Sequence, residues 1–133
     1  MFLLDTDIII YSFKGLPEVI ENLQVHTADP KAISVITYGE LVYGAEKSQH
    51  VAKNLAKVRN LREIFPVVEI TCSIMDTFGM IKADLSKKGT IIDDFDLLIG
   101  STALTLGYTI VSNNEKHFNN IPDLQVTNWT KSI

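Results

Sequence analysis

The sequence has a single cysteine, Cys72, in 133 residues. That excludes an internal disulfide and suits a reducing compartment. With no base placed beside it, Cys72 reads as a small core residue. Histidine is scarce as well. His26, His50 and His117 show no zinc-like spacing and no cysteine partner, so each reads as a surface or core residue rather than a ligand. No apolar run approaches the length that spans a bilayer. The opening Met1-Phe2-Leu3-Leu4-Asp5 has no basic stretch before its short apolar run, so the expectation is a cytoplasmic protein with no signal peptide and no membrane segment. Repeats, linkers and low-complexity tracts are absent.

What is present fits one domain over residues 1–133, long enough to bury roughly two-thirds of the unfolded surface without staples. The hydrophobic share is 46% and the charged share 21%, ordinary for a globular chain. A net charge of -4 argues, taken alone, against nucleic-acid binding. The distribution qualifies that. Lys47, Lys53, Lys57, Arg59 and Arg62 lie between Glu46 and Glu63 with no acid among them. Such a run is ordinarily a solvated helix face; the sharper reading is a stripe that meets phosphates.

Along the chain, Phe2–Leu4 predicts a buried strand ending at Asp5. The Asp5-Thr6-Asp7 break supplies an N-cap signal for a helix over Ile8–Phe13, ended by Gly15. Pro17 starts a second helix, Glu18–Gln24. Asp29-Pro30 is a turn, and Lys31–Ile36 the second strand. Thr37 and Glu40 match a capping box, which predicts a helix from Tyr38 to about Ser48. Gly39 and Gly44 within it call for close packing to offset their poor helix propensity. A helix over Val51–Ile64 has one apolar and one basic face, and Pro66 breaks it. Val67–Ile70 is the third strand. Thr71 caps a helix to Lys88, followed by Gly89. After a loop, Phe95–Leu106 forms a strongly apolar helix ended by Gly107. Tyr108–Ser112 is the fourth strand; Asn113-Asn114-Glu115 turns into a short helical piece. Leu124–Val126 is an edge strand, and Trp129 docks the C-terminus. This alternation implies an α/β fold, an open parallel sheet of four to five strands with helices on both faces.

In such sheets, ligands bind outside the carboxyl ends of the strands. Asp5 ends the first strand, Glu40 opens the helix after the second, and Asn114 follows the fourth. Asp96 lies in the first turn of the most apolar helix, where a carboxylate is costly to desolvate unless a cation meets it. The topology rule does not fix its position. If it approaches the same edge, Asp5, Glu40 and Asp96 form a cluster, with Asp7, Ser112 and Asn114 nearby. Close carboxylates either rise in pKa or take a cation. An all-oxygen site suits Mg²⁺ or Mn²⁺ better than Zn²⁺. Each acid has a bland alternative: Asp5 and Asp7 as N-caps, Glu40 as a capping-box residue, Asp93 and Asp94 as loop acids, Asp96 as a first-turn acid favoured by the helix dipole.

These residues resemble a known family. Leu4-Asp5-Thr6-Asp7-Ile8 is similar to the opening of PIN-domain nucleases. Ser34 to Ser48, with Thr37-Tyr38-Gly39-Glu40-Leu41 at its centre, resembles the second motif of VapC toxins. Asp94-Phe95-Asp96-Leu97-Leu98-Ile99 resembles their third acidic motif. Ile110 to Asn114 with Phe118, then Val126 to Trp129, resembles their C-terminal pattern. The resemblance spans nearly the whole chain in order. It implies a PIN-like fold and a metal-dependent endoribonuclease, the toxin of a type II toxin–antitoxin pair.

Its catalytic positions fall on Asp5, Glu40, Asp96 and Asn114, with Asp5 and Asp96 holding Mg²⁺ or Mn²⁺ and Thr6, Asp7 and Ser112 in support. Asn114 stands where an aspartate is common, which removes one negative charge and leaves the choice between one and two tightly held metals open. Glu40 would bind metal through water or orient the attacking water, while Asn114 and Ser112 would bond the waters of the site. Lys47, Lys53 and Lys57 are candidate RNA contacts. The implied partners are single-stranded or loop RNA, with the anticodon loop of initiator tRNA as leading target, a VapB-like antitoxin, and a second copy in a homodimer.

Two rivals remain. A receiver-like signalling domain shares the size and the acidic Mg²⁺ pocket, but it needs an aspartate ending a middle strand, and none occurs between Asp29 and Asp76. A catalytically inactive PIN binding module is kept open by Asn114.

Overall fold

The computed structural model describes residues 1–133. Five parallel strands form the sheet: β1 (Phe2–Leu4), β2 (Lys31–Ser34), β3 (Val67–Val68), β4 (Thr109–Val111) and β5 (Val126–Thr127). Their order is β3-β2-β1-β4-β5. The chain lays β2 and β3 to one side of β1, then returns to place β4 and β5 on the other, so β1 and β4 flank the switch point of the sheet. Seven helices cover it: α1 (Thr6–Phe13), α2 (Pro17–Val25), α3 (Val35–Glu46), α4 (Val51–Ile64), α5 (Cys72–Lys87), α6 (Asp94–Leu106) and α7 (Glu115–Phe118). No helix is long and apolar enough to cross a membrane.

Strand side chains alternate between faces, and this divides the core in two. Leu3, Ala32 and Ile110 point into one cluster with Ile81, Leu97, Ile99 and Phe118. Their neighbours Leu4, Ile33 and Val111 point into the other, with Ile8, Val19, Leu41, Val58 and Trp129. Both faces of these strands are therefore buried, which explains why they read as unbroken apolar runs. Trp129 is buried as its position suggests, stacked on His26 with ring centroids 4.7 Å apart.

Several predicted boundaries move. The second strand stops at Ser34, and α3 starts at once. Ser34 is its N-cap, accepting a bond from the Ile36 N–H, so the Thr37–Glu40 capping box does not form. Thr37 is a buried residue inside the helix and Glu40 lies in its middle, both free to bond across to α1. α1 starts at Thr6 with Asp5 itself as cap. The third strand is two residues rather than four. Apart from their own helix backbone, Gly39 and Gly44 have no atom within 4 Å of where a Cβ would stand, so no packing from other elements offsets their cost of up to about 1 kcal/mol each. Cys72 is exposed, contrary to its core reading, because it opens α5 one position after the Thr71 cap while Ile74 faces inward.

Asp96 is placed by helix direction. α6 runs 13 residues to Gly107, whose φ of 71° is the left-handed stop glycine supplies without strain. The chain then enters β4 from the opposite end of the sheet, so the first turn of α6 stands at the carboxyl edge. α5 lies antiparallel to it, tied by Thr105–Thr77 at 2.8 Å and Lys82–Asp94 at 2.9 Å.

Candidate active site

Asp5, Thr6, Asp7, Glu40, Asp96, Asn113 and Asn114 line one open pocket of about 410 Å³ at the carboxyl edge, with Ile10 its one hydrophobic wall. β1 and the start of α1 supply Asp5, Thr6 and Asp7. α3 supplies Glu40, α6 supplies Asp96, and the loop after β4 supplies the asparagines.

Asp5 is 5% exposed and both its oxygens are engaged. Oδ1 accepts from the Thr6 N–H at 2.8 Å, and Oδ2 accepts from the Ser112 hydroxyl at 2.7 Å. Burial, and then the Asp7 charge, push its carboxyl up to about 7 despite these bonds. Asp7 is also raised, mainly by burial. Its Oδ2 accepts from the Asn113 N–H at 3.0 Å, while its Oδ1 is buried with no hydrogen-bond partner. Glu40 is raised by burial too; the Thr6 hydroxyl, donating to its Oε1 at 2.7 Å, acts against this, and the charges of Asp96 and Asp93 add to it. With its proton given to Glu40, the Thr6 hydroxyl accepts from Thr37 at 3.0 Å.

Ser112 is fully buried. Its oxygen accepts from the Asn114 N–H at 2.8 Å while its hydroxyl donates to Asp5. It therefore fixes Asp5 and the Asn114 backbone rather than reaching waters in the pocket, which corrects the role expected for it. The Asn114 amide lies 3.3 Å from Asp96 Oδ2 and 2.8 Å from His117 Nδ1, and that ring nitrogen is itself 3.3 Å from Asp96. The sequence reading missed His117 as a site neighbour. The only signal for it is its spacing, three residues after Asn114 on a short helix. Asp93 and Asp94 stay outside: Asp93 caps α6 through the Phe95 N–H, and Asp94 pairs with Lys82.

The basic residues separate. Lys57 lies in a second cleft of about 380 Å³ beside Glu40, with its ammonium 5.1 Å from the Phe13 ring. Lys47 lies in a third cleft, 4.8 Å over the Tyr43 ring. Lys53 is exposed on α4 and lines neither cleft.

No three His, Cys, Asp or Glu side chains close into a ready ligand set. The donor chemistry nonetheless fits a hard divalent cation. Mg²⁺ takes only one or two carboxylates directly and keeps several waters. Here the polar side chains lining the pocket are carboxylates, two amides and the Thr6 hydroxyl, with no sulfur or imidazole among them; Asp5 is buried, Asp7 is half-buried, and Asp7 Oδ1 has no hydrogen-bond partner. Asp5 and Asp96 would hold such an ion, with Asp7 close behind them.

A PIN domain profile matches residues 2–124 of the chain. Ribonuclease VapC2 of Haemophilus influenzae Rd is 35% identical over 128 residues, covering 96% of this chain and 97% of that protein. The tRNA(fMet)-specific endonuclease VapC of Salmonella typhimurium is 36% identical over 129 residues, covering 96% and 97%. The crystal structure of VapBC2 from Rickettsia felis bound to a promoter DNA fragment contains a chain that superposes with a TM-score of 0.89 at 32% identity, covering 96% of this chain and 98% of that one.

Proposed function

Since the chain belongs to the VapC ribonucleases of the PIN-domain family, we propose that it is a Mg²⁺- or Mn²⁺-dependent endoribonuclease, the toxin of a toxin–antitoxin pair. The observation that supports this most is the meeting of Asp5, Glu40 and Asp96 in one open pocket at the switch point of the sheet. Independent helix caps have no reason to converge there.

A divalent ion held by Asp5 and Asp96 would raise the acidity of the attacking water and offset charge on a phosphorane-like transition state. The chain does the positioning. Ser112 and the Thr6 N–H fix the Asp5 carboxylate. Thr6, backed by Thr37, aims Glu40, which orients the attacking water and accepts its proton. Asn114 holds Asp96 and, being neutral, leaves the site with fewer charges than an aspartate there would.

The substrate we infer is tRNA. The name of the Salmonella relative supports initiator tRNA in particular, and loop nucleotides offer unstacked bases to a shaped surface. The partner we infer is a VapB-like antitoxin, as in the VapBC complexes of similar fold. The cleft walled by Ile10, Phe13, Leu41 and Val58 would take an apolar segment, and it adjoins the acids, where a basic antitoxin side chain would silence them. Assembly as a homodimer belongs to the same reading, since two copies would shape a groove that an acidic monomer lacks.

The test is cleavage of purified total tRNA by antitoxin-free protein, wild type against Asp96→Asn, with Mg²⁺, Mn²⁺ or EDTA. Metal-dependent cutting lost in the variant supports the reading, and mapped ends name the target. Silence of the folded wild type on tRNA and on other RNAs with either metal overturns it in favour of an inactive binding module.

A further inference from the structure

We propose that Asn128 is a positioning residue of the nuclease site: its side-chain amide grips Asn113 and Glu115, the two neighbours of Asn114, and so fixes Asn114 against Asp96. This rests on the ribonuclease reading and adds to it a residue that does not line the acidic pocket. β5 lies parallel to β4 with Thr127 beside Val111, so the chain leaves both strands at the same edge. The residue after β5 therefore meets the loop after β4, from which Asn113 and Asn114 enter the pocket. Within the motif Val126 to Trp129, Trp129 belongs to the core, whereas Asn128 is half-buried beside that loop.

The hydrogen bonds settle which way this amide points. Asn128 Oδ1 accepts from the Thr130 N–H at 2.9 Å, and a backbone N–H can only donate. The nitrogen therefore faces the loop, where Nδ2 donates to Asn113 Oδ1 at 3.1 Å and to Glu115 Oε2 at 3.2 Å. Its two protons thus go to the residues on either side of Asn114. Asn114 is the N-cap residue of α7, yet its side chain makes no capping bond. Its Nδ2 stands instead 3.3 Å from Asp96 Oδ2 and 2.8 Å from His117 Nδ1. With no cap bond to anchor it, the direction of this side chain follows the loop that Asn128 holds. Asn113 carries the effect further: its N–H donates at 3.0 Å to Asp7 Oδ2, on the acid whose other oxygen is buried without a partner. The grip is anchored on both sides. Before it, the Thr127 carbonyl accepts from the Ser112 N–H at 3.0 Å. After it, Trp129 is 2% exposed, and its carbonyl accepts from the buried Asn22 amide at 3.1 Å. Loss of a group that orients metal-site residues in this way costs about ten- to hundredfold in metal affinity or activity.

The experiment measures Mn²⁺ binding to full-length, RNA-free protein from the electron paramagnetic resonance of free Mn²⁺, beside steady-state cleavage of RNA. Both are read well below the melting temperature of each variant. Asn128→Asp keeps the size of the side chain and the acceptor for the Thr130 N–H but removes both donors. It should weaken Mn²⁺ binding about tenfold and lower kcat, with KM for RNA unchanged. Asn128→Ala, which adds no charge beside Glu115, should do the same. Glu115→Gln alone still accepts from Asn128 and should bind Mn²⁺ like wild type. The double variant Asn128→Asp/Glu115→Gln re-forms that bond with its polarity reversed and should recover most of the lost affinity. Variants that melt lower yet bind Mn²⁺ and turn over like an active wild type overturn the positioning role and leave a structural tie. A double variant no better than Asn128→Asp overturns it too, since the bond to Glu115 would then not govern the site. A wild type that neither binds Mn²⁺ nor cleaves RNA removes the nuclease reading, and this role with it.

Discussion

Asp5 does two things with one side chain. It caps α1 and it carries the most displaced proton equilibrium in the molecule. Its carboxyl is pushed up to about 7, so between the usual carboxylate range and pH 7 the metal-free folded state holds a proton that the unfolded chain has lost. That stabilisation is complete at low pH and disappears as pH rises through 7. Asp7 and Glu40 are displaced in the same direction. In EDTA, the melting temperature should therefore fall between pH 5.5 and pH 8. Asp5→Asn should flatten that fall, and added Mg²⁺ should restore the wild type at pH 8. A metal-free melting temperature indifferent to pH would sink this account. Thr6 offers a finer probe. Its hydroxyl holds Glu40 and lowers its pKa, so Thr6→Val should move the acid limb of the pH–rate profile to higher pH. Misplacing Glu40 should cut kcat about tenfold, for about 1 kcal/mol of stability. Thr6→Ser should recover both; a Val variant with an unshifted profile would show that the hydroxyl does not govern Glu40.

At the scale of elements, α6 is approached closely at Gly100. A Cβ on Gly100 would stand 2.7 Å from Ile121 Cδ1 and 3.3 Å from a Phe118 ring carbon, both on fully buried side chains. α7 and the segment after it can lie against α6 only because that position is bare. Gly100→Val should cost about 1–3 kcal/mol in urea melts by overpacking. It should also displace the Asn114 end of α7, lowering activity more than stability alone explains; an unaltered urea midpoint would place the contact elsewhere. The helices were largely legible because their signals are periodic and local. Ile74, Ile81 and Leu85 are buried as the α5 pattern requires, and Gly107 stops α6. The start of α3 was not. Ser34 and Thr37 both satisfy the local chemistry of an N-cap, and only the tertiary demand for Thr37 and Glu40 to bond Thr6 separates them. The same holds for His117, whose relation to Asp96 spans 21 residues of sequence and exists only once α6 and α7 pack.

For the whole molecule, topology did what no local signal could. The sheet order β3-β2-β1-β4-β5 puts the ends of β1 and β4 beside each other, so Asp5 and Ser112 meet across 107 residues. The strand count and the carboxyl-edge rule were enough to anticipate Asp5, Glu40 and Asn114 at one edge; placing Asp96 required the direction of α6. Charge at this scale constrains how RNA could be held. The chain is acidic overall, and the cations near the site are few: Lys14 and Lys57 in one flanking cleft, Lys47 in the other, with Lys53 elsewhere on α4. Binding of a single strand loses about 0.7 in logarithmic salt slope per phosphate neutralised, so four contacts give a slope of about -3. Anisotropy of a single-stranded oligomer on the Asp96→Asn protein between 50 and 200 mM salt should return a value that shallow. Lys47→Ala and Lys57→Ala should each reduce it by somewhat under one, and Lys53→Ala by less. A much steeper slope would mean that a second protomer or other cations supply the phosphate contacts. The candidate stripe on α4 would then belong to an assembled groove rather than to one chain.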